Sequence, residues 1–183
     1  MPVFPRHLKS VVAALLLAAG AAHAEGADLD ALYRKLADPA NAEWQIAQAD
    51  ILREWSKSGS PAMDLLLKRG REAMEAGDLE AAIEHLTALT DHAPDFAEGW
   101  NARATAYFMA GRFGPSVADI EHTLALNPNH FGALSGLGQI FEALEKPDKA
   151  IRAYKAALAV NPHMESVKDA VERLTRDTEG TDL

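Results

Sequence analysis

Apolar positions along this chain recur at the three-and-four spacing of a helix rather than the alternate spacing of a strand. Within Leu79–Asp91, residues Ala82, Ile83, Leu86 and Leu89 share one face. Val117, Ile120 and Leu124 repeat that face, as do Ala150, Ile151, Tyr154 and Leu158. Towards the N-terminus, residues 28–36 read as a helix, and Trp44, Ala47, Ile51 and Trp55 mark one face of a second over 42–57. Ser58-Gly59-Ser60-Pro61 then breaks the chain, with Ser60 placed to cap the next helix and Pro61 in its first turn. After the last of the central helices, Val167, Ala170, Val171 and Leu174 form a stripe opposite Glu165, Lys168, Asp169, Glu172 and Arg173. That pattern predicts an amphipathic capping helix over 165–176, followed by a polar tail, 177–183, that should fray.

A period lies over these helices. Pro94, Pro128 and Pro162 stand 34 residues apart, each in a turn-like context that ends a helix. The same spacing aligns Gly70, Ala104 and Gly138, all small, and Ala73, Tyr107 and Phe141, mostly aromatic. Gly77 and Gly111 coincide at a break between helices, where Glu145 departs from glycine. Small Ala82, Ser116 and Ala150 recur in step with large Leu86, Ile120 and Tyr154. A two-helix unit of this size cannot bury its apolar face alone, so units must stack and share a continuous core.

In period and in these columns the chain resembles the tetratricopeptide repeat family, whose unit is 34 residues and two antiparallel helices. The resemblance covers about 100 residues, with Trp100 at the family's tryptophan position and Leu66 and Leu134 in its place elsewhere. It implies an all-α fold, an α-solenoid of stacked antiparallel helix pairs. The repeats read as 63–96, 97–130 and 131–164, with residues 25–62 before them as an N-terminal cap or a degenerate fourth repeat.

Composition changes the picture mainly at the N-terminus. Arg6, His7 and Lys9 precede an apolar run, Val11 to Ala19, and Ala22-His23-Ala24 supplies a small-x-small cleavage pattern. The run is shorter than the roughly 20 residues of a spanning helix. Residues 1–24 therefore read as a cleavable signal peptide, with no stable membrane insertion after its removal. Losing Arg6 and Lys9 from the 18 lysines and arginines leaves 16 against 27 acidic residues, a net charge of -11. Such a surface repels phosphate backbones and anionic headgroups, which disfavours nucleic acid and membrane-surface partners. The absence of cysteine removes disulfides, a thiol nucleophile and thiolate metal sites. Together these features suggest a protein of a bacterial periplasm, with secretion beyond the cell also open.

Nothing in the sequence carries catalytic chemistry, and no cofactor is expected. His85, His92, His122, His130 and His163 include no pair at the four-residue spacing of a helical zinc site, and read as surface or turn residues. No serine lies in a nucleophile elbow, and Gly132, Gly136 and Gly138 lack the preceding strand of a phosphate loop. The acids read as charge scattered over solvated helix faces.

What remains is a binding face. The resemblance implies that the first helix of each unit lines a concave groove for a protein or peptide partner. Carried over position by position, that groove takes Leu67, Arg71 and Met74 from the first unit, with Asp64 and Glu75 beside them. Asn101, Thr105, Phe108 and Met109 come from the second, with Glu98, and Ser135 and Gln139 from the third, with Gly132 and Glu142. Met74, Phe108 and Met109 suggest an apolar strip suited to varied partners, unless they pack against the N-terminal helices or each other. The carboxylate clamp of the family's co-chaperones is not reproduced, since its positions carry Leu67, Arg71, Ala102, Gly132 and Gly136. The expectation is a non-catalytic binding scaffold or adaptor, or alternatively a non-catalytic assembly subunit of an enzyme complex such as a cytochrome c maturation system.

Overall fold

A computed structural model describes residues 28–181, and the expected signal peptide lies outside them. Nine helices, with no strand among the described residues, run in order: α1 (Leu29–Ala37), α2 (Trp44–Trp55), α3 (Pro61–Glu75), α4 (Leu79–His92), α5 (Ala97–Met109), α6 (Phe113–Leu126), α7 (Phe131–Ala143), α8 (Pro147–Val160) and α9 (Glu165–Thr181). The pairs α3/α4, α5/α6 and α7/α8 are the three repeats.

Within each pair the break is the same device. The amides of Asp78, Arg112 and Lys146 reach back to the carbonyls of Ala73, Tyr107 and Phe141 at 2.8–2.9 Å. This Schellman closure needs a left-handed residue between, and Gly77 (φ 77°) and Gly111 (φ 70°) supply it at no steric cost. Glu145 occupies the same place with φ 53° and carries the strain of a Cβ there. Glu145→Gly is expected to stabilise the fold by about 0.5–1 kcal/mol, the relieved strain exceeding the added chain entropy. A thermal melt that shows no rise would contradict it.

The size alternation read from sequence is the packing code. A Cβ on Gly70 would lie 2.5 Å from Leu86 Cγ, and one on Gly138 would overlap the Tyr154 ring. In the middle repeat Ala104 packs with Ile120, and Ser116 Oγ donates to the Ala104 carbonyl at 2.7 Å. Small first-helix residues thus admit a large second-helix residue in every unit. Between repeats, the Oδ1 atoms of Asn127 and Asn161 accept from the amides two residues on, at 3.1 Å each, and shape the turns before α7 and α9.

Both ends depart from expectation. α9 runs on through Thr181, past the Arg176 boundary, so most of the tail expected to fray is helix. Thr178, partly buried, donates its hydroxyl to the Leu174 carbonyl at 3.0 Å, which ties the added turn to the packed stripe. At the other end Ser60 takes the extended N-cap backbone without a side-chain cap bond. Asp64 reaches back instead, accepting from Ser58 N at 2.8 Å and Ser58 Oγ at 2.6 Å.

The larger departure concerns α1 and α2. They form a hairpin, but it does not continue the stack ahead of α3. Leu36, Ala47, Ile51 and Trp55 bury themselves with Phe131 of α7, and Val160 and Met164 flank the same cluster. The hairpin therefore folds back onto the third repeat and lies along one edge of the array. The face Trp44, Ala47, Ile51 and Trp55 is the one it buries, so the helical face was legible although its partner was not.

Candidate functional site

The first helices α3, α5 and α7 line the inner face, and the hairpin lies along one edge, over the start of α7 and the turns before α7 and α9. The centre of that edge is a charged cluster. Glu98, on the first turn of α5, accepts from Arg71 of α3 through Oε1. Its Oε2 lies 2.9 Å from His130 Nε2 and accepts from Asn101 Nδ2 at 3.3 Å. His130 Nδ1 caps α7 by accepting from Ala133 N at 3.1 Å, which leaves the ring proton on Nε2, facing Glu98. At 2% exposure His130 is one of the most buried polar residues in the chain. Reading it as a surface residue, and Glu98 as solvated charge, is corrected here, whereas the place of His130 beside an inter-repeat turn is where the sequence reading put it. Asp119 corrects the same reading, since it is buried beneath a two-bond pair with Arg103 at 2.7 and 2.9 Å. Each acid is taken out of water because a guanidinium meets it across a helix contact, 27 residues away for Glu98 and 16 for Asp119.

Over this cluster sits the hairpin. Trp55 stacks on His130 at 4.1 Å and tilts against Phe131 at 4.8 Å. Trp44 lies flat on His163 at 4.6 Å, and Ser56 Oγ meets Arg71 Nη1 at 3.3 Å. Burial raises the Tyr33 hydroxyl above its ordinary pKa, with the Trp55 and Asn127 hydrogen bonds opposing it.

Away from the hairpin the inner face stays open. Asn101, Thr105, Phe108, Gly132, Gly136 and Gln139 border a narrow cleft of about 60 Å³ whose floor includes Ala104, Ile120 and Ile140. It widens over Phe108, Gln139 and Glu142 into a space of about 340 Å³. Phe108 is half-buried and leans on Phe113 at 5.7 Å, leaving part of its ring at the cleft. Thr105 and Gln139 are exposed, and Thr105 Oγ1 donates to the Asn101 carbonyl at 3.0 Å.

Of the nine groove residues expected from sequence, the cleft brings together Asn101, Thr105, Phe108 and Gln139. Leu67 and Ser135 do not join them. Leu67 is in the first repeat's core at 2% exposure, and Ser135, at 6% exposure, is buried without lining the cleft. Arg71 is held by Glu98 and Ser56, so the one groove cation is already paired. Met74 packs against the first core, whereas Met109 is 49% exposed outside the cleft, and the strip through Met74, Phe108 and Met109 is not continuous. Gly136, which sequence reading placed only among the clamp positions, joins the cleft beside the expected Gly132. Their four-residue spacing on the face of Gln139 was the available signal.

Two family models of the tetratricopeptide repeat match residues 67–114 and 132–164. A TPR repeat-containing protein of Rhizobium etli is 33% identical over 153 residues, which cover 83% of this chain and 75% of that one. The small glutamine-rich tetratricopeptide repeat-containing protein 2 of Saccharomyces cerevisiae is 30% identical over 142 residues, 78% of this chain and 38% of its own length. Among solved structures, the first TPR of Spaghetti (RPAP3) bound to the HSP90 peptide SRMEEVD superposes with a TM-score of 0.63. It is 24% identical over 66% of this chain and 95% of that one. MamA superposes with a TM-score of 0.61 at 22% identity, over 75% of this chain and 82% of its own. These structural likenesses concern the fold. The array is a helical-repeat solenoid, and with the Rhizobium relative and the two repeat matches the chain belongs to the tetratricopeptide repeat family.

Proposed function

We propose that this chain is a non-catalytic scaffold that binds a protein segment in the open part of its inner face. The observation that carries the reading is the cleft itself. A half-buried aromatic, Phe108, stands beside polar Asn101, Thr105 and Gln139, and Gly132 and Gly136 on the cleft's border let a partner's backbone approach. Support also comes from the solved relative whose repeat domain holds a peptide. Arg71 is already neutralised by Glu98, so a partner's carboxylate finds no free cation among the groove positions. The acidic chain instead favours a neutral or basic segment.

Phe108→Ala is expected to weaken partner binding by about 1 kcal/mol or more, as truncating an interface anchor does. The check is a titration with the partner that co-purifies, run beside circular dichroism of the variant. Undiminished binding by a folded variant would remove the cleft from consideration.

The reading includes export to a bacterial periplasm, supported by the basic start, the Val11 to Ala19 apolar run and Ala22-His23-Ala24. No helix among the described residues is long and apolar enough to cross a membrane. Protein from native cells is expected to begin at Glu25 on N-terminal sequencing. An intact Met1 on the mature product would overturn the export step.

A further inference from the structure

The column of inner-face residues that begins apolar ends in a charge. Met74 and Phe108 hold equivalent places in successive repeats, and the same place in the third repeat is Glu142. Phe108, Gln139 and Glu142 share, with Ala143 and Tyr154, the space of about 340 Å³ into which the cleft widens. A space of that size suits one long side chain of a bound segment. It offers aromatic surface from Phe108, an exposed amide from Gln139 and a carboxylate from Glu142. Among the described residues that border the cleft and this space there is no lysine or arginine.

The Glu142 carboxylate is held in place from behind. Its Oε2 accepts from the Tyr154 hydroxyl at 3.2 Å, and Tyr154 is fixed in a core with Val167 and Leu174 of α9. Burial and the carboxylate itself keep that hydroxyl a neutral donor. Oε1 accepts from Arg173 Nη2 of α9 at 2.7 Å. The side chains of Arg173 and Glu142 are 47% and 33% exposed, so water screens this pair and it is weak. Arg173 does not border the space over Phe108. It therefore offsets part of the Glu142 charge without filling the place where a partner's side chain would lie.

We infer that the cleft selects a segment carrying a lysine or arginine, whose aliphatic stem lies along Phe108 and whose charged head meets Glu142, and that Arg173 is an internal cation that limits this attraction. The inference rests on the reading of the cleft as the binding site and names the side chain that site prefers. An apolar stem with a cationic end matches an aromatic surface that leads to a carboxylate. An acidic residue in the same place would meet a like charge.

The test selects a phage library of random dodecapeptides on the immobilised chain, then titrates an enriched peptide, labelled with fluorescein, by anisotropy. One position of the enriched peptides is expected to be lysine or arginine. Replacing that residue by norleucine should weaken binding by about fivefold or more, the combined effect of a cation on an aromatic ring and a half-screened ion pair. Glu142→Gln, which keeps an oxygen for the Tyr154 hydroxyl, should bring the basic peptide and its norleucine analogue to the same affinity. Arg173→Ala should instead tighten the basic peptide by about twofold or more and leave the analogue unchanged. If the pair served only to tie α9 to α7, breaking it from either side would act alike. Both variants weakening the basic peptide, or a basic preference that survives Glu142→Gln, would overturn the inference. Salt provides a reading on the unaltered chain: raising it should cost the basic peptide more affinity than its analogue, and an equal response would contradict the ion pair. Peptides that depend on Phe108 yet show no basic preference would sink this inference alone. Peptides that bind Phe108→Ala undiminished, or a selection that enriches none, would remove the cleft as the binding site altogether.

Discussion

Arg103→Ala is expected to lower the unfolding free energy by about 3–5 kcal/mol, the range for breaking one half of a buried ion pair. The guanidinium of Arg103 joins three helices. It donates through Nε and Nη2 to Asp119 of α6, and through Nη1 to Thr90 Oγ1 of α4 at 2.8 Å. Its carbon lies 4.8 Å from the centroid of the Trp100 ring. The hydrogen bonds to Asp119 hold the Arg103 pKa above its ordinary value, against the opposing effect of burial. Alanine would leave the Asp119 carboxylate, 7% exposed, without its counter-charge. Urea denaturation followed by circular dichroism checks it, and an unmoved midpoint would show that the pair contributes little. Arg103→Lys should recover only part of the loss, since an ammonium cannot reproduce the two-bond fork.

Gly138→Leu carries the second large effect, a loss of about 3 kcal/mol at the upper end of ordinary overpacking. Even a Cβ at Gly138 would overlap the Tyr154 ring, and Tyr154 has little room to retreat. Its ring is 3% exposed among Ala150, Val167 and Leu174, and its hydroxyl donates to Glu142 Oε2 at 3.2 Å. Burial first, and the neighbouring Glu142 carboxylate second, push the Tyr154 pKa well above its ordinary value, so the group stays a neutral donor. Thermal melts of the variant should show the loss. A melting temperature equal to that of the wild type would mean that α7 and α8 meet elsewhere along their faces.

These two positions also mark what the chain reveals before it folds. Gly138 and Tyr154 belong to columns that recur every 34 residues, and repetition makes a local rule visible: small against large, three times over. The Schellman turns were legible for the same reason, down to the departure at Glu145. Pairings made once were not. Arg103 with Asp119, and Glu98 with Arg71 and His130, join side chains that no period links, and a charged residue looks solvated until its partner is placed. The hairpin shows both halves of this. Its apolar face followed from helical spacing, because Trp44, Ala47, Ile51 and Trp55 must be covered by something. That the cover is Phe131 and two turn histidines on the far side of the array depends on the bend at 56–60, which spacing does not encode. The groove residues divide likewise. Asn101, Thr105, Phe108 and Gln139 reached the cleft by periodic position. Leu67 and Ser135, at 2% and 6% exposure, are buried and do not line it.

The central claim, that the open inner face takes up a protein segment, is tested most directly by site-specific photo-cross-linking in native cells. Benzoylphenylalanine would be placed one position at a time at Thr105 and Gln139, exposed on the inner helices, and at Glu121 and Lys155, exposed on the second helices of their repeats. A partner covalently captured from Thr105 and Gln139, and not from Glu121 or Lys155, is the expected result. Capture of the same partner from Glu121 and Lys155 alone would place binding on the outer face and contradict the claim.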